Sequence, residues 1–151
     1  MRDMPEKGAP RTVLAFDFGL ERIGVAVGEA GLASAHPLPP IAARFSRARF
    51  EEIGRLVAEW RPARLVVGLP LAEDGTAREA TRRAERFARQ LEGRFRLPVA
   101  RVDERYSSTE AESRVRAAAG ARRAAQASRR RELDSLSAQL ILEQFFDENP
   151  A

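Results

Sequence analysis

The sequence predicts an α/β fold: a mixed five-stranded sheet, an antiparallel meander followed by parallel strands, flanked by helices. Three observations carry this expectation. Short apolar runs from Val13 to Phe16 and from Ile23 to Val27 are separated by only a few residues around Gly19, so they pair as a hairpin. Two amphipathic stretches, residues 46–60 and 76–95, alternate with two further apolar runs, and strand–helix–strand alternation closes through right-handed crossovers into parallel pairing. The 151 residues, 44% hydrophobic and 32% charged, suffice for one domain with a real core and a charged coat.

Residues 1–11 are polar and proline-bearing and read as a disordered leader. No apolar segment resembles a signal peptide or a membrane span, so a cytoplasmic protein with no membrane partner is expected. Val13 to Phe16 is a buried strand ending in Asp17, and Ile23 to Val27 returns beside it. A third short strand is expected around Leu32 to Ala35, before a loop marked by Pro37, Pro39 and Pro40. Ser46 is placed as the N-cap of a helix with Phe50, Ile53, Val57 and Trp60 on one face, stopped by Pro62. Leu65 to Val67 is a strand bounded by Gly68 and Pro70. Thr76 with Glu79 reads as a capping box for a second helix with an apolar stripe of Ala80, Ala84, Phe87, Leu91 and Phe95. Pro98 to Val102 is the last strand. Ser107 with Glu110 opens a third helix that fades into residues 117–131, a low-complexity stretch without a core face and a candidate mobile loop. A final helix begins near Glu132 and turns Leu133, Leu136, Leu140, Ile141 and Phe145 inward, leaving 148–151 as a frayed end. The single domain is thus placed at 12–147.

Composition narrows the chemistry. There is no cysteine and one histidine, His36, which removes disulfides, Cys-ligated metals and His-rich sites and makes a Ser/His/Asp triad unpromising. Any metal must be held by oxygen. The net charge of +4 hides an uneven distribution: seven arginines and no acid from Arg114 to Arg131, then five acids and no base from Glu132 to Ala151. Such a run points to a polyanion, or, more plainly, to a solvated loop in an arginine-rich chain.

Acids mark strand ends. Parallel sheets place their sites beyond the carboxyl ends of strands, where Asp17 and the Asp103-Glu104 pair fall. Asp134 shares a helical stripe with Ala138, Ile141 and Phe145, so a carboxylate heads an apolar face. Each acid taken singly has a structural use as a turn, cap or ion-pair residue. Gathered together they need a cation, and two divalent ions about 4 Å apart suit phosphodiester hydrolysis. Gly68-Leu69-Pro70 followed by Asp74-Gly75 lacks the Gly-Lys-Ser/Thr of a phosphate loop; it reads either as a close backbone approach at the sheet edge or as a structural turn.

The run from Asp17 to Ala26 (DFGLERIGVA), Val67-Gly68-Leu69-Pro70 with Asp74-Gly75, Val102-Asp103-Glu104-Arg105 and Asp134-Ser135-Leu136-Ser137-Ala138, in this order over residues 12–147, resembles the YqgF/RuvX family. The resemblance implies an RNase H-like fold related to the resolvase RuvC, and a pre-16S rRNA nuclease or a Holliday junction resolvase. By that likeness Asp17, Glu104 and Asp134 are the catalytic acids and metal ligands, for Mg²⁺ or Mn²⁺, two ions bound with substrate. Arg22, Arg105, Arg122, Arg123, Arg129, Arg130 and Arg131 are the expected nucleic-acid contacts. The expected activity is metal-dependent endonucleolytic hydrolysis of structured nucleic acid, processing the 5′ end of pre-16S rRNA. A resolvase acting on a four-way DNA junction, whose two coordinated cuts need a symmetric dimer, and a non-catalytic RNA-binding assembly factor are the alternatives, and a monomer or homodimer is expected.

Overall fold

β1 (Thr12–Asp17) is the central strand of a five-stranded sheet in a computed structural model that describes residues 11–32, 34–104 and 135–149. It is followed by β2 (Arg22–Glu29), β3 (Ser34–Ala42), α1 (Ser46–Trp60), β4 (Arg64–Leu69), α2 (Glu79–Phe95), β5 (Val99–Asp103) and α3 (Leu136–Glu148). The strand order is β3-β2-β1-β4-β5. β1–β2 and β2–β3 pair antiparallel, while β1–β4 and β4–β5 pair parallel, so the expected meander followed by parallel strands is present.

Alternation along β1 splits the core into two layers. Leu14 and Phe16 face α1 and α2, where they meet Phe50, Ile53, Phe87 and Leu91. Val13 and Ala15 face α3, where Ala138, Ile141, Leu142 and Phe145 cover them. β1 is therefore covered on both faces, which explains its unbroken apolar run.

Four sequence expectations need correction. The third strand does not stop before the prolines; β3 runs from Ser34 through Pro37, Pro39 and Pro40 to Ala42. It is an edge strand, where proline's missing N–H need not break a ladder. Ser46 is the first helical residue of α1, not its cap: Phe45 holds the extended N-cap conformation without a side-chain bond. Thr76 does not cap α2; its N–H and hydroxyl both bond Oδ1 of Asp74, while the Arg78 N–H bonds Oγ1 of Thr81, 2.9 Å away, so the helix starts at Glu79. Ala80 is consequently exposed, and buried Thr81 and Ala88 join Ala84, Phe87 and Leu91 on the inner face. The described part of the final helix starts at Leu136 rather than near Glu132; Leu140, Ile141 and Phe145 are buried as expected, Leu136 is half-buried, and Leu133 lies outside the described residues. The leader, the helix expected from Ser107 and the 117–131 stretch also lie outside them. No helix among the described residues is long and apolar enough to cross a membrane.

Candidate active site

Asp17 closes β1, its backbone paired with Gly24 of β2, and Glu104 directly follows the last residue of β5. Since β1, β4 and β5 are parallel, these ends share one edge of the sheet. Between them β4 contributes Gly68. A Cβ there would lie 2.7 Å from Oε2 and 2.8 Å from Cδ of Glu104, and 2.5 Å from Cδ1 of Ile141 on α3. Glu104, only 8% exposed, thus places its carboxyl in the space that the glycine leaves open. Gly68 serves close approach, and the group that approaches is a carboxyl of the chain itself.

Burial disfavours the charged form of both acids. It pushes Asp17 up to about 6, partly offset by a hydrogen bond from the Ser137 side chain. It pushes Glu104 up to about 8, helped by the neighbouring charges of Asp17 and Asp103 and opposed by Arg78. Neutral pH therefore leaves about one proton on the pair, because two desolvated carboxylates side by side repel. Glu104 is not neutralised by Arg101, which bonds Glu85 with Nε and Nη2 (3.1 and 2.8 Å) and Glu92 with Nη1 (2.6 Å), clamping α2 to β5.

α3 is docked at its first turn. Ser135 is fully buried; its Oγ accepts from the Val25 N–H (3.1 Å) and donates to the Leu38 carbonyl (2.6 Å). These partners lie where the β2–β3 register shifts between Ile23 and Val25, so the hydroxyl fills a break in the ladder. Two residues on, the Ser137 side chain favours the charged form of Asp17.

Of the expected site residues, the structure brings Asp17 and Glu104 together and places Arg22, exposed, at the start of β2 on the same edge, opposite Ala42. Asp134, Arg105, Arg122, Arg123, Arg129, Arg130 and Arg131 lie outside the described residues. Among the described residues no set of three acids or histidines is arranged to hold a metal ion. Yet the pair fits a hard divalent cation: all its donors are oxygen, it is desolvated, and its mutual repulsion is what a cation relieves. Sequence reasoning did not single out Arg78, and it quoted Ser135 as part of a motif without giving it a role. Arg78 follows the Asp74-Gly75 turn, and its signal was its place just before a helix leaving the carboxyl edge.

The RuvX family model, described as Holliday junction resolvase, matches residues 11–148. The chain belongs to the RuvX family. A relative of this RuvX-family chain from Paraburkholderia xenovorans (strain LB400) is 49% identical over 140 residues, 93% of this chain and 90% of its own length. Another, from Dechloromonas aromatica (strain RCB), is 52% identical over 136 residues, 90% of each chain. Both carry the name "Putative pre-16S rRNA nuclease". Among solved structures, T. thermophilus RuvC in complex with Holliday junction substrate matches with a TM-score of 0.50 over 91% of this chain and 94% of that one. At 17% identity this likeness supports the RNase H-like fold alone.

Proposed function

We propose that this RuvX-family chain is a divalent-metal-dependent endonuclease that hydrolyses phosphodiester bonds in structured nucleic acid and matures the 5′ end of pre-16S rRNA in the cytoplasm. The observation that carries the reading is the Asp17–Glu104 pair at the carboxyl edge of parallel strands, with Glu104 packed over Gly68 and both carboxyls pushed up by burial. Asp17 and Glu104, with Asp134, are the residues that would hold Mg²⁺ or Mn²⁺. When bound, such ions acidify the attacking water and neutralise charge on the leaving oxygen. The chain's own part is to give up the proton the pair holds, to present fixed carboxylate oxygens, and to draw the phosphate backbone in with Arg22, Arg105 and the arginines between Arg122 and Arg131.

The test is one side-by-side assay of a pre-16S rRNA and a four-way DNA junction, with wild type and Asp17→Asn, in Mg²⁺ and in Mn²⁺. Wild type is expected to cut the precursor and the variant to cut neither substrate; equal cleavage by the variant sinks the assignment of the site. Cleavage of the junction alone moves the substrate to DNA, a reading that the family's description favours. Tight, steeply salt-dependent RNA binding with no cleavage in either metal identifies a non-catalytic assembly factor.

A further inference from the structure

Among the described residues one aromatic ring stands in water. Phe45, between β3 and α1, is 68% exposed, whereas the other described aromatics are buried or half-buried. It holds the N-cap position of α1, where a serine, threonine, aspartate or asparagine would bond the first turn. A phenylalanine there gives up the cap and leaves its ring outside the core, so neither the helix nor the packing accounts for it.

Its place is fixed by its neighbours. Arg22 at the start of β2 pairs with Ala42, and the Ala43 N–H continues that ladder by donating to the Glu21 carbonyl (2.9 Å). Arg49 donates to the Ala43 carbonyl from Nε (3.1 Å) and Nη2 (2.6 Å), and its guanidinium lies 5.2 Å from the ring centre of Phe18, the residue after Asp17. The segment carrying Phe45 is thereby tied to the carboxyl edge of the sheet, where β3 lies two strand spacings, roughly 10 Å, from β1. Charge suits a polyanion there: Ala42 to Phe50 includes Arg44, Arg47 and Arg49 and no acid. The exposed Arg44 holds its guanidinium 5.8 Å from the Phe45 ring centre. A flat apolar face beside a cation is what a nucleobase stacks on, and any base can do so because each has a π-face.

We propose that Phe45, with Arg44 beside it, is a stacking platform for an unpaired base of the RNA substrate, holding a single-stranded stretch at the edge of the sheet where Asp17 and Glu104 stand. The inference deepens the proposed function and rests on it: the substrate class becomes RNA with an unpaired segment next to the cut. A base inside a duplex is stacked on its neighbours and cannot lie on the ring, so the platform selects unpaired over paired RNA without reading sequence.

The experiment measures, in chelator, the affinity of the full chain for a single-stranded RNA of about 12 nucleotides and for the same sequence in a blunt duplex. Wild type, Phe45→Ala, Phe45→Leu and Phe45→Trp are compared, with circular dichroism to confirm folding. Phe45→Ala is expected to bind the single strand about tenfold more weakly, Phe45→Leu to show most of that loss, and Phe45→Trp to bind at least as tightly as wild type. All four are expected to bind the duplex within about twofold of one another. No charge is removed, so the salt dependence should not change. Phe45→Trp also reports directly: the chain's own tryptophan, Trp60, is buried, so the single strand and not the duplex should quench the new, exposed fluorescence. Wild-type affinity for the single strand in a folded Phe45→Ala variant, or an equal loss on strand and duplex, overturns this inference alone. A Phe45→Ala variant that sediments differently without RNA, yet binds RNA as wild type does, gives the ring to a protein contact and overturns it as well. Failure of wild type to bind either RNA overturns the proposed function and this inference with it.

Discussion

The carboxyl of Glu104 occupies the space of the side chain that Gly68 lacks, with Oε2 2.7 Å from where a Cβ would stand. A methyl group at that position meets two neighbours at once, Glu104 from the strand side and Ile141 from the helix side, so one of them must move. Gly68→Ala is expected to fold with a stability loss of about 1–3 kcal/mol from overpacking, and to lose activity about a hundredfold as Glu104 is displaced. Adding Ile141→Val relieves the helix side alone. The double variant should therefore regain part of the thermal midpoint and little of the activity; recovery of both together would show that Glu104 had not been the group displaced.

The acid pair sets a pH dependence whose sign follows from burial. Unfolded, Asp17 and Glu104 titrate near 3.8 and 4.5; folded, near about 6 and about 8. Between those limits the folded state holds more protons, so the metal-free protein loses stability as pH rises from about 4 to about 8. Glu104→Gln removes a group that destabilises only when ionised. In chelator the variant is expected to melt with wild type near pH 5 and roughly 5 °C above it near pH 8. Mn²⁺ should raise the wild-type midpoint at pH 8 and leave the variant's nearly unmoved. Parallel melting curves across the whole range would mean that Glu104 is not the buried acid described.

Ser135 supplies a separate stability prediction. Ser135→Ala leaves the buried Val25 N–H and the Leu38 carbonyl without the hydroxyl that joins them, costing about 1–3 kcal/mol. For a chain of this length that is a fall of several degrees in the thermal midpoint. Amide exchange should locate the damage: Val25 is expected to lose protection while Leu14 and Val66, in strands away from the break, keep theirs.

Strand and helix positions were legible because each depends on local pattern: the apolar run of β1, the Phe50–Ile53–Trp60 spacing of α1, the parallel alternation after the meander. The limits of β3 were not legible, since its prolines signal a loop unless it is known to be an edge strand. Capping failed at Thr76 for a related reason. A hydroxyl three residues ahead of a glutamate looks like a capping box, but Asp74, two residues back, takes both of its donors. In the site, Asp17 and Glu104 could be read from their places at strand ends, whereas the Gly68 space and the bond from Val25 to Ser135 join residues 36 and 110 positions apart. Contacts of that range carry no local signal, and only the register of the sheet against α3 creates them.

The arginine run gives a prediction that separates grip from chemistry. If Arg122, Arg123, Arg129, Arg130 and Arg131 contact phosphates, each contact releases counterions and steepens the fall of affinity with salt by roughly 0.7–0.9 in the log–log slope. Replacing all five with glutamine is expected to flatten that slope by up to about 4 and to weaken binding to RNA most at low salt. Asp17→Asn removes a carboxylate ligand and no phosphate contact, so in chelator its slope should equal that of wild type. The measurement is RNA affinity across a salt series for the three proteins. An unchanged slope in the five-arginine variant would assign the run to solvent and leave phosphate binding to Arg22 and Arg105.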